Sequence, residues 1–248
     1  MGSEPFDDDI WDEFRWEQHI NAIERKSVQL RDFITSTWGE GSPNWLRLLN
    51  EYKSQNEVID AYIEEELMYE EAYFPEDDDW DEDDDDDPDN DLFMSDDEDE
   101  VLKNLDTEED SGSDDFRIED LEYLDDIRSY ILSREFGISV LKLAGTQVGQ
   151  KKDAILNQFV QTSLQISAKL AAGFSFGFDL EVIGGNIAYC KKALDNSNKA
   201  LEMLCALKDR PWLKAADYYE LHEALTRVRN EIGMYIQDLR ESYRNSLF

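Results

Sequence analysis

Two short stretches pair a carboxylate with an imidazole: Glu17-Gln18-His19 and Glu220-Leu221-His222. They hold both histidines of the chain. A di-iron or di-manganese helical site needs Glu-x-x-His, because a step of three residues brings both ligands to one inward face. A step of two turns about 200° around a helix, so each of these pairs points opposite ways. Glu119-Asp120-Leu121-Glu122 and the Glu220/Glu223 pair do have the spacing of a Mg²⁺ clamp. The second acidic pair that such a clamp needs one helix later is missing, since Glu241-Ser242-Tyr243-Arg244 offers an arginine. Asp87 through Glu98 places acids at positions one, three, five and twelve of a calcium loop, but Leu92 stands where the sharp turn requires glycine.

Nucleophile chemistry fares no better. Cys190 and Cys205 have no histidine beside them in sequence, and no Gly-x-Ser-x-Gly turn exists. On one helix these cysteines would sit about 22 Å apart, too far for a disulfide, so both read as small buried apolar residues. Gly145 to Lys151 is one residue short of a phosphate loop and lacks Gly-Lys-Ser/Thr. No catalytic, cofactor-binding or metal-ligating residue is therefore expected, and no cofactor. One local oddity remains. Gly184-Gly185 lies inside an expected helix, where each glycine costs about 1 kcal/mol, so a neighbouring helix, or a ligand beside Phe174, Phe176 and Phe178, must come close.

The elements that would carry any site are helical. No alternating β-branched run and no Asn-Gly or Asp-Gly hairpin turn is present. Ile183, Ile187, Cys190, Leu194, Ser197, Leu201 and Leu204 recur at steps of three and four, as do Leu221, Leu225, Val228, Ile232, Tyr235 and Leu239. Asp209-Arg210-Pro211 separates these two helices, with Asp209 able to cap and Pro211 suited to a first turn. Asp179 can cap the earlier of them. Upstream, Leu124, Ile127, Ile131, Ile138, Leu141 and Val148 mark a helix from about Ile118, open to interruption at Gly137; Ile155, Phe159, Ile166 and Leu170 mark another. The expectation is an all-α fold with an up-down four-helix bundle over residues 118–248.

Residues 1–74 read as a helical hairpin or arm. Ile20, Ile23, Ser27, Leu30 and Ile34 form one stripe, and Ser42-Pro43 opens the next helix. Trp11, Trp16, Trp38 and Trp45 crowd a piece too small to bury them alone, so they pack on the bundle or receive a partner.

Charge divides the chain sharply. The formal net charge of -36 splits into -34 for residues 1–117 and -2 for residues 118–248. Residues 75–115 hold 24 acids against Lys103 alone. That composition predicts a disordered acidic linker over 75–117, with an r.m.s. reach of roughly 35 Å. It includes Asp83, Asp84, Asp85, Asp86 and Asp87, followed by an apolar island at Leu92, Phe93 and Met94.

Such a polyanion disfavours nucleic acid as a direct ligand, since phosphates would be repelled. The start of the chain lacks the positive end and apolar run of a signal peptide, and no stretch suits a membrane span, so a cytoplasmic protein is expected. The expected function is a non-enzymatic protein–protein interaction or adaptor role, in which the acidic segment captures a basic partner. Asp83–Asp87, Leu92, Phe93, Met94, Trp11 and Trp16 are the candidate contacts. The alternatives are an enzyme or small-ligand binder with its site in the bundle core, and mimicry of nucleic acid by carboxylates on rigid helices.

Overall fold

The structure is a computed structural model that describes residues 10–38, 43–71, 124, 126–147 and 153–246, with the side chains of 30–38 and 69–71 outside that description. Every regular element among the described residues is a helix. In chain order these are α1 (Glu13–Trp38), α2 (Asn44–Glu51), α3 (Gln55–Glu71), α4 (Arg128–Thr146), α5 (Ala154–Ser175), α6 (Ile183–Leu207) and α7 (Ala215–Ser246). The acidic linker expected over 75–117 lies outside the described residues, as do Ser42 and Val148.

Local chemistry sets the helix starts. Asp12 opens α1 by accepting from the backbone N–H groups of Phe14 (3.1 Å) and Arg15 (2.8 Å). Ser54-Gln55-Asn56-Glu57 is a reciprocal capping box for α3. The Ser54 hydroxyl accepts from the Glu57 N–H at 3.3 Å, and the Glu57 carboxylate accepts from the Ser54 N–H at 3.2 Å. Asp153 does the same work for α5, bonding the N–H groups of Ile155 and Leu156.

Several expected boundaries move. The described helix of this region, α4, starts at Arg128 and runs unbroken through Gly137. Pro43 occupies the cap position of α2 rather than its first turn. The α6 cap is Val182, without a side-chain bond, and Asp179 contributes its backbone carbonyl to the N–H groups of Val182 and Ile183. Pro211 belongs to a turn, and α7 starts four residues later at Ala215.

Helix α4 packs on α5 and α7, α5 on α6, and α6 on α7, while α3 lies against α2, α4 and α5. One apolar core runs through all of these. Trp45 of α2 and Val58, Ile59 and Tyr62 of α3 share it with Phe136, Phe159, Leu164 and Leu225. Gly137 permits the α3 approach, since a Cβ there would stand 3.1 Å from Ile59 Cδ1. The α6 and α7 stripes face this core along most of their length, with Ser197 buried among the apolar residues. The stripe expected along α4 does so only in part. Leu124 and Leu141 are buried and Ile127 and Ile138 pack partly buried against the core, but Ile131 is 36% exposed, and the buried face of α4 also takes in Tyr130, Ser133, Phe136, Gly137 and Val140. Cys190 is buried as expected, but Cys205 is exposed.

Candidate functional site

The first candidate is the seat of α1. Its carboxylates Glu13, Glu17 and Glu24 recur on one helical face, and each meets a cation from another helix. Arg240 of α7 grips Glu13 through two bonds of 2.8 and 2.6 Å. Lys191 of α6 pairs with Glu17, and Lys192 pairs with Glu24 and donates to Asn21. Lys169 of α5, only 6% exposed, reaches Glu24 at 2.9 Å and lies 5.5 Å from the centre of the Tyr189 ring. Burial would raise the Glu24 carboxyl, yet the Lys169 and Lys192 ammonium groups overcome it and hold Glu24 below its ordinary value.

An aromatic layer lies at the start of this seat. Trp11 and Trp16 stand 5.0 Å apart, and Trp16 meets Phe176 edge-on at 5.1 Å. Phe176 in turn packs on Tyr189, and Arg15 covers the outer face of Trp11 at 4.4 Å. Here the glycine pair acquires its reason. A Cβ on Gly184 would come within 2.7 Å of the Trp11 carbonyl oxygen, and one on Gly185 within 2.7 Å of the Phe176 ring. Two glycines in α6 thus admit the start of α1 and the ring of Phe176.

The titratable groups of this region are packed rather than poised. Burial, with Lys26 nearby, lowers the His19 imidazole, whose ring stacks edgewise on Trp11 and Trp16. Cys190 donates to the Asn186 side-chain oxygen at 3.4 Å, and burial pushes its thiol far above the usual thiol range. Asn186 is itself tied to the Gly177 carbonyl. A thiolate nucleophile at Cys190 is thereby disfavoured. Among the described residues no three His, Cys, Asp or Glu side chains gather as a metal-ligand set. No described helix is long and apolar enough to cross a membrane.

The second candidate is a surface cleft of about 470 Å³ where the start of α4 meets α7. Asp126, Arg128, Glu231 and Asp238 carry its charge, and Ile127, Met234 and Tyr235 its apolar wall. Arg128 reaches Glu231 at 3.5 Å. Ser129, 1% exposed, lies in the lining with a hydroxyl that has no hydrogen-bond partner.

Of the sequence-derived contacts, the structure brings Trp11 and Trp16 together, both half-buried, on the α6 seat. Asp83 to Asp87, Leu92, Phe93 and Met94 lie outside the described residues. Sequence reasoning did not single out the Glu13/Glu17/Glu24 row or its four cations. Its signal was present as acids at helical spacing, but the same spacing marks an ordinary solvated face. The α4–α7 cleft had no signal at all, because it is made by residues about a hundred positions apart. No protein-family model matches this chain, and no significant match exists among curated proteins or solved structures.

Proposed function

We propose that the chain is a non-enzymatic interaction protein whose residues 75–115 capture a basic protein partner by charge. The finer architecture in this reading is an up-down four-helix bundle over 118–248, preceded by a helical arm. The polyaspartate at Asp83–Asp87 raises the encounter rate, and Leu92, Phe93 and Met94, with Trp11 and Trp16 in support, set the docked pose.

One observation carries the reading. The cations that the fold shelters are held by acids of the fold itself: Arg240, Lys191, Lys192 and Lys169 by α1, and Arg134 by Asp60. The 24 acids of residues 75–115 therefore find little sheltered positive charge in the described fold to neutralise them. An external cation is the natural complement.

The test is a titration of the full chain with a fluorescent decalysine at 50 and 300 mM salt. Affinity should fall by about tenfold or more at the higher salt, as screening shortens the reach of the field. Deletion of 75–115 should remove most of the binding. Affinity indifferent to both salt and deletion would sink the proposal.

A further inference from the structure

We infer that the α4–α7 cleft is the second half of the partner site, taking an apolar side chain of the basic partner between flanking lysines or arginines. This rests on the capture reading above and specifies where the captured partner docks.

Two features of the cleft point to such an occupant. Its apolar wall is open: Met234 is 54% exposed, and beyond the lining Ile131, one turn along from Ile127, adds a further exposed apolar side chain at 36%. Its rim is acidic. Asp126, Glu231 and Asp238 set three full negative charges against Arg128 and the roughly half-unit positive charge at the start of α4.

Position strengthens the case. The acidic segment ends at Asp115 and the cleft begins at Asp126. The chain between them is eleven residues long, which bounds the separation of their joined ends at about 40 Å. The acidity of the rim argues against the chain's own Leu92-Phe93-Met94 island as the occupant, because that island is itself flanked by aspartates. An apolar side chain between cations satisfies both wall and rim.

The experiment uses the full chain with methyl-labelled isoleucine and methionine and two peptides of equal charge. One is decalysine; the other carries the same ten lysines with leucines at helical spacing. The leucine peptide should bind about tenfold more tightly and shift the methyl signals of Ile127, Ile131 and Met234. Met234→Lys, at an exposed position that leaves the fold intact by circular dichroism, should abolish that advantage while decalysine binds as before. If the leucine peptide keeps its advantage in Met234→Lys, or shifts methyl groups elsewhere, the cleft is not the site. That outcome leaves salt-sensitive decalysine binding in place, whereas loss of decalysine binding itself would overturn the capture reading and the cleft with it.

Discussion

Lys169 shows how much a single residue can depend on another. Its ammonium group lies 6% exposed under α1 and is balanced by Glu24 at 2.9 Å. Removing one partner of a buried pair strands the other charge, which costs more than replacing the stranded charge by an apolar chain of similar length. Glu24→Ala should therefore lower stability by about 3 kcal/mol, and Lys169→Met by distinctly less. Urea unfolding of the two variants checks this, with Glu24→Ala combined with Lys169→Met expected to recover most of the loss. Equal losses for the two single variants would mean that the pair is solvated and weak. None of this was legible in the residue string. Lys169 sits amid Ala168, Leu170 and Ala171, and its partner is far earlier in the chain.

At the scale of elements, helix type was legible and helix facing only partly so. The stripes of α6 and α7 point inward because large apolar residues repeat there without competition. On α4, the isoleucines at 127, 131 and 138 compete with a face carrying Ser133 and Gly137, which register weakly on any hydrophobicity scale. The second face won because small residues let neighbouring helices come close, as Ile59 does over Gly137. The α3 start is legible too, since Ser54-Gln55-Asn56-Glu57 has the spacing of a capping box.

Helix α1 is the element whose attachment should respond to acid. Glu24 is held below its ordinary value, so its contribution is complete above about pH 4.5 and disappears as pH falls through its folded value. His19 is also lowered, first by burial and then by Lys26, so its protonation below about pH 6.5 favours the undocked helix. Both signs agree: α1 should loosen on acidification. Tryptophan emission followed from pH 7 down to about pH 2 should shift to the red as Trp16 leaves Phe176, and the shift should shrink in Trp16→Phe. A flat emission profile in the intact chain would show that the ion pairs do not hold the helix down.

At the scale of the molecule, the described N-terminal and C-terminal helices share a core, and the negative charge is concentrated before residue 118. Residues 118–248 are near neutral at -2, so the formal charge of -36 describes the rest of the chain. A core that draws on α2 and α3 as well as α4 to α7 is built from contacts distant in sequence, which no local pattern reveals. That is why tryptophan crowding before residue 50 signalled the need for a larger core but left open where it was. Trp45, 3% exposed and packed among core residues, is one outcome.

The two cysteines, one sealed in the core and one on the surface of the same helix, give the molecule a built-in counter of its own opening. An alkylating reagent offered to the native protein should modify Cys205 promptly and leave Cys190 intact, so the mass rises by one adduct. A second adduct can form only when α6 parts from its neighbours, and its rate measures that event without any engineered probe. Denatured chain should take both at once. Comparing the second rate with and without a bound basic peptide would report, in minutes on a mass spectrometer, whether partner capture tightens the core or leaves it untouched.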